Sequence, residues 1–279
     1  MNPAYLVAIG ASVLFGGGDF AGGLASRRAR VAVVTLAAWV AGLVALVLAA
    51  PFVQGSPAAA DLAWAAAAGV TGALGGALLF RALAIGPVGI ASPIFCVVGL
   101  VLPVVVGLAL GERPHAAGIT GLLLAPIAIV LLTADGGGAE PGAARRVLAP
   151  SLAAGAVIGF FLVFMARVGP GAGLWPLVLA RLMGAVATFA FVLARRLPRV
   201  PPPGARVIAL GAGVLDTAAN TAYLYAVQRG SLALVAALIS LAPATTALLG
   251  RMVLHERWHR RQVFGLLLAL AAGVLISLG

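Results

Sequence analysis

The fold class that this sequence predicts is an all-α polytopic membrane protein, with ten transmembrane helices arranged as two inverted five-helix repeats. Three observations predict it. Of the 279 residues, 63% are hydrophobic and 9% charged, with a mean hydropathy of +1.15. Soluble domains carry about a quarter charged residues, so this chain belongs in a lipid bilayer. Ten segments approach the roughly 20 apolar residues that a hydrocarbon core of about 30 Å demands. Finally, the stretch from Phe80 to Thr133 recurs 144 residues later without a gap.

The ten spans are expected near 4–25, 32–53, 62–84, 88–110, 116–134, 150–168, 173–195, 206–228, 232–254 and 261–278. Turn or charge signals separate them: Ser26-Arg27-Arg28, Gln54-Gly55-Ser56-Pro57, Gly86-Pro87, Gly111-Glu112-Arg113-Pro114 and Pro201-Pro202-Pro203-Gly204. The first segment lacks the basic start of a signal peptide and occupies the slot of the sixth, so it reads as a span. The longest break, from Asp135 to Ala149, holds Gly136-Gly137-Gly138. It divides the chain into a first repeat over 1–135, a linker over 136–149 and a second repeat over 150–279.

Within the repeat, Gly121-Leu122-Leu123-Leu124-Ala125 returns letter for letter at Gly265-Leu266-Leu267-Leu268-Ala269. Gly69-Val70, Gly86 and Glu112-Arg113 return as Gly213-Val214, Gly230 and Glu256-Arg257. Each copy holds five spans. After an odd number of crossings the second copy enters from the opposite side of the bilayer, so the halves are antiparallel. That architecture serves alternating access in secondary transporters, with a site near mid-depth where the repeats meet.

Loop charge predicts an orientation. All 18 basic residues are Arg. Fourteen of them fall in or beside loops 1–2, 3–4, 5–6, 7–8 and 9–10, and the other face holds only Arg113, Arg167 and Arg229. The positive-inside rule then puts the odd-numbered loops in the cytoplasm and both termini outside. The net charge of +11 is accounted for by these loops and anionic headgroups rather than by nucleic acid. Cys96, the one cysteine, rules out a disulfide framework.

Polar residues inside spans are costly and mark pathways or partners. Asp216 falls near the middle of span 8, with Asn220 and Tyr223 on the same helical face. The matching face of span 3 carries Gly72, Gly76 and Leu79. One half offers hydrogen-bonding groups where the other offers space, which suits a cavity wall; a polar seam between two helices is the alternative. Asp19 follows three glycines in span 1. It is a candidate for binding a cation or carrying a coupling proton, since loss of water disfavours a charged carboxylate, or for pairing with an arginine. Arg181 in span 7 has reach enough for Asp216, for an anionic substrate or for the headgroups. Asp19, Asp216, Asn220, Tyr223 and Arg181 are therefore the candidate substrate or coupling-ion residues. Tyr5, Trp39, Trp64, Trp175 and Trp258 read as interfacial anchors. Pro93, Pro103 and Pro243 predict kinks in spans 4 and 9.

Two short motifs suggest enzymes. His255-Glu256-Arg257-Trp258-His259 has the H-E-x-x-H form of zinc proteases. Gly16-Gly17-Gly18-Asp19 fits the G-x-G-D of intramembrane aspartyl proteases, with Asp216 as a second carboxylate. Neither chemistry requires an antiparallel duplication of the whole chain, so no catalytic residue, metal or cofactor is expected. A phosphate-binding glycine loop is lacking as well, which leaves gradient-driven transport or facilitated exchange.

With these residues in view, the chain resembles EamA-type members of the drug/metabolite transporter superfamily across nearly its whole length. Leu110-Gly111-Glu112-Arg113 and Leu254-His255-Glu256-Arg257 resemble that family's Gly-Glu-Arg turn. Gly16-Gly17-Gly18-Asp19-Phe20 stands where the family has Trp-Gly-x-Asn-Phe. The resemblance implies ten helices, export of small metabolites or drugs, and a place in the bacterial inner membrane. It also implies cytoplasmic termini, opposite to the arginine count. The partners expected are the lipid bilayer and a small-molecule substrate; monomer and homodimer stay equally open, as does a non-transporting scaffold.

Overall fold

The computed structural model describes residues 3–109, 116–133, 142–169, 171–229 and 232–278. Its helices are α1 (Pro3–Ser26), α2 (Val31–Ala49), α3 (Ala59–Ile85), α4 (Val88–Ala109), α5 (Ala116–Thr133), α6 (Ala143–Met165), α7 (Trp175–Ala194), α8 (Pro203–Arg229), α9 (Leu232–Ile239), α10 (Ala242–Val253) and α11 (Arg260–Leu278). Among the described residues there is no strand, as hydrocarbon requires of a chain that satisfies its backbone groups within each segment. Among the described residues nine stretches are long and apolar enough to cross a membrane, and α5 adds a shorter one. Together α9 and α10 make the ninth span, and α11 is the tenth. The Gly111-Glu112-Arg113-Pro114-His115 turn, Asp135 and the three linker glycines lie outside the described residues.

The repeat offset relates the starts of four helix pairs. Helices α2, α3, α4 and α5 begin at Val31, Ala59, Val88 and Ala116; adding 144 gives Trp175, Pro203, Leu232 and Arg260, where α7, α8, α9 and α11 begin. Span 6 starts at Ala143 rather than near 150. Pro150 sits inside that helix, and the hydropathy reading stopped at it because Arg145 and Arg146 make the preceding turns polar.

Tertiary contacts bear out the inversion. On α5, Gly121 lies against Ala272 and Ile276 of α11, and on α11, Gly265 lies against Leu131 and Leu132 of α5. Shifting the pair Gly121–Ile276 by the repeat offset produces Gly265–Leu132. The two helices thus cross antiparallel about a pseudo-twofold axis. Cys96 and Ser240 are also one offset apart, and the Cys96 thiol donates to the Ser240 carbonyl at 3.8 Å, so they meet on that axis. Off the axis, α1 packs on α8 as α6 packs on α3, and α2 packs on α8 as α7 packs on α3.

Close helix crossings explain two of the repeated glycines. A Cβ at Gly69 would overlap the Ala180 carbonyl of α7, and one at Gly213 would overlap the Ala38 carbonyl of α2. In lipid, where burying apolar surface adds little, such backbone approach supplies the van der Waals contact that holds helices together.

Two of the larger pairings break the symmetry. Helix α1 packs on α3 through Gly22 against the Phe80 ring and Gly23 against Leu83, and α4 packs on α11. Among the described residues, neither the α6–α8 nor the α5–α9 counterpart makes a comparable contact. The α1–α3 pairing lies toward the ends of those helices that carry Arg27 and Gly86, whereas Gly273 of α11 meets Leu100 of α4 deeper in the bundle.

The ninth span is discontinuous. It was expected as one kinked helix, but it breaks at Ser240-Leu241, two residues before Pro243. Proline offers no N–H to the Ile239 carbonyl and disfavours helical geometry in the residue before it. Its repeat partner α4 carries Pro93 and Pro103 yet stays continuous from Val88 to Ala109.

Candidate functional site

Helices α2, α3, α7 and α8 meet around one polar cluster. Arg181 of α7 forms an ion pair through Nη2 with Oδ2 of Asp216 on α8. The side chains retain 12% and 33% of their surface, so the carboxylate is not walled off. One turn further along α8, Asn220 Nδ2 donates to the Asp216 carbonyl at 2.8 Å and to its Oδ2 at 3.3 Å. The guanidinium of Arg181 lies over the Trp39 ring, with Cζ 4.6 Å from the ring centroid. Three of the five sequence candidates therefore converge: Arg181, Asp216 and Asn220. Of the destinations open to Arg181, the structure selects the carboxylate rather than the headgroups.

Trp39 was expected at the interface and is instead buried at 7% exposure. Glycine makes the room for it. A Cβ at Gly184 would collide with the indole, and one at Gly72 would lie 3.1 Å from Cη2. Gly72 and Gly76 hold in α3 the positions that Asp216 and Asn220 hold in α8, and the indole occupies the space the missing side chains leave. Tryptophan is amphipathic enough for both settings, and only the helix crossing decides between them. Thr217, next to Asp216, is buried and its hydroxyl has no partner.

Tyr223 shares the face of Asp216 but sits two turns away, packed with Tyr5, Val7, Ala8 and Val235. Asp19 forms a second centre. It is half-buried and makes no hydrogen bond or ion pair among the described residues. Beside it, Gly18 packs on the backbone of Ala212 and Asp216, and Gly16 on Ala242 and Thr245. The Thr246 hydroxyl donates to the Gly16 carbonyl at 3.1 Å. The turn of α1 carrying Asp19 is thus wedged between α8 and the start of α10, close to the interruption of span 9.

The protease motifs are put to other uses. Residues 255–259 are not helical, so His255 and His259 do not share a helical face as a zinc site requires. Glu256 accepts the Val88 N–H at 2.7 Å and the Gly89 N–H at 3.1 Å. Its carboxylate therefore caps the N-terminus of α4, where an anion complements the free amides and the helix dipole. On the other side of the same turn, Arg27 donates to the carbonyls of Leu83, at 3.1 Å, and Gly86, at 3.0 Å, closing the C-terminus of α3. Asp216, for its part, is engaged by a guanidinium and not by a second carboxylate. The His255-Glu256-Arg257 turn was visible in the sequence; what its glutamate binds was not, because Glu256 and Val88 lie 168 residues apart.

The cap leads to a prediction. Glu256→Ala leaves two α4 amides without an acceptor and lowers stability by about 1.5–3 kcal/mol, the range for a charged hydrogen bond. Glu256→Gln, which keeps a carbonyl acceptor, loses less. Thermal unfolding of the purified protein reads both, and an unchanged midpoint for Glu256→Ala would remove the cap from the account.

Comparison with known proteins completes the description. No curated protein matches the chain. A solved structure described only as the crystal structure of a protein aligns with 98% of this chain and 96% of its own, with a TM-score of 0.56 and 17% identity, a likeness of fold alone. The family model that matches is the EamA-like transporter family, over residues 147–278. That match spans the second five-helix half, from α6 to α11, and includes Arg181, Asp216 and Glu256. Residues 147–278 are thus similar to the EamA-like transporter family, a likeness that supports a membrane transporter of the drug/metabolite type.

Proposed function

We propose that this chain is a secondary active transporter that exports small metabolites or drugs across the bacterial inner membrane by alternating access. Two units, 1–135 and 150–279, rock about a site near mid-depth, and the 136–149 linker joins them. Asp19, Asp216, Asn220, Tyr223 and Arg181 supply substrate or coupling-ion contacts. The observation that carries the reading is the pairing of an inverted repeat with a broken ninth span beside Asp19, a carboxylate with no partner among the described residues. Interrupted helices near the bilayer midplane present backbone groups to ions and substrates in many secondary transporters.

Reconstitution into proteoliposomes tests the proposal. Imposing a proton or sodium gradient drives flux of a small-molecule panel, and empty liposomes give the baseline. A chain that gives no flux with any gradient or exchange substrate is a scaffold.

Orientation follows the arginine count, with odd-numbered loops in the cytoplasm and both termini outside. A cysteine placed at Arg199, in a background where Cys96 is Ser, reacts with a membrane-impermeant maleimide only after cells are broken. Labelling of intact cells would reverse the topology.

A further inference from the structure

Away from the mid-membrane cluster, a cavity of about 710 Å³ opens at the arginine-rich face, where α1, the α3–α4 turn, α6 and the segment before α11 gather. Three guanidinium groups line it: Arg27, Arg146 and Arg257, each from a different part of the chain. His255, Gln262 and Trp258 add further polar groups. Among the described residues the one acid in the lining is Glu256, and its oxygens accept from the amides of Val88 and Gly89. The Trp258 indole N–H is buried without a partner, although indole donors in such settings normally find one. The remaining wall is apolar: Ile85, Pro87, Ile90, Leu254 and Leu266.

Positive-inside bias accounts for arginines on this face, but not for their convergence on one cavity. Nor does it account for a buried donor and an apolar wall there. A cleft of one charge with low-dielectric walls concentrates the field acting on an oppositely charged solute. Guanidinium groups bind phosphate and carboxylate through paired, charge-assisted hydrogen bonds.

We propose that this cavity binds an organic anion, a phosphate or carboxylate group carried on an apolar body. Arg257, Arg146 and Arg27 attract the charge, the Trp258 N–H is an additional donor, and the aliphatic wall takes the carbon skeleton. The site stands apart from the Arg181–Asp216 pair. Because its occupancy is measured at equilibrium without a gradient, it survives or fails independently of the transport reading.

The test uses the full chain in nanodiscs of zwitterionic lipid, titrated with octyl phosphate while tryptophan fluorescence is followed. A saturable change is expected, lost in Trp258→Phe, with affinity reduced about tenfold or more in Arg257→Ala, equal to about 1.4 kcal/mol. Arg146→Gln provides a second variant should Arg257→Ala not fold. Inorganic phosphate is expected to compete only weakly, because it lacks the apolar body. Octyltrimethylammonium, with the tail and the opposite charge, is expected not to compete. In nanodiscs containing phosphatidylglycerol, weaker octyl phosphate binding would identify the natural anion as a lipid headgroup, and unchanged binding a free solute; both keep the site. Equal binding of octyltrimethylammonium, or unaltered affinity in both arginine variants, overturns the proposal.

Discussion

Asp19→Asn abolishes gradient-driven transport in proteoliposomes and leaves the chain folded. The amide has nearly the shape of the carboxylate, so the substitution removes charge and the capacity to take up a proton with little change in volume. No guanidinium or hydrogen-bond donor is lost from a bond, since Asp19 makes none among the described residues. Its neighbours Gly16 and Gly18 remain packed on α10 and α8. Stability is therefore expected to stay within about 0.5 kcal/mol of the parent, as for changes that disturb no packing or pairing. Flux coupled to an imposed gradient falls to the level of empty liposomes, whereas exchange of substrate across the membrane persists. Such a separation belongs to a coupling residue; if coupled flux continues at the parental rate, Asp19 has no such role.

Breaking the Arg181–Asp216 pair has the largest expected effect on stability. Arg181→Ala strands a carboxylate among helices, and removing one partner of a buried pair costs about 3–5 kcal/mol. Because Asp216 keeps a third of its side-chain surface, the expected loss is nearer about 2–3 kcal/mol. Removing both partners in Arg181→Ala with Asp216→Ala restores part of it, since neither charge is then left alone. A double-mutant cycle on thermal unfolding should return a coupling of about 1–3 kcal/mol. A coupling of zero would mean that the two charges do not support each other in the folded protein. Trp39 is part of the same unit, so Trp39→Leu weakens the hold on Arg181 without stranding a charge, and its loss is the smaller one.

These expectations rest unequally on sequence. That Asp216 and Asn220 share a face follows from helical spacing, and the hydrogen bonds between them were legible in that sense. The partner of Asp216 was only one of three destinations for Arg181. Trp39 was assigned to the interface because its position in span 2 says nothing about how the helix is rotated. Burial of its indole follows from three glycines on two other helices, Gly72 and Gly76 on α3 and Gly184 on α7. Cys96 and Ser240 carried a detectable signal, since residues one repeat offset apart are the ones able to meet on the axis.

The break in span 9 shows where local rules stop. Pro93 and Pro103 predict for α4 what Pro243 predicts for span 9, yet one helix stays whole and the other divides. A freed carbonyl in lipid is tolerated where neighbouring groups satisfy it, and that depends on tertiary surroundings.

By itself the sequence determined the number of spans, their limits in all but the sixth, and the antiparallel relation of the halves. Hydropathy and repetition are properties of the chain read in order, and an odd repeat in a bilayer leaves no other arrangement. Only the tertiary structure decided that Arg181 faces Asp216 over Trp39, that Asp19 lies beside a broken helix with no partner among the described residues, and that Glu256 caps α4. Each of those depends on how helices rotate and cross, and that is decided by glycine contacts between segments far apart in the chain.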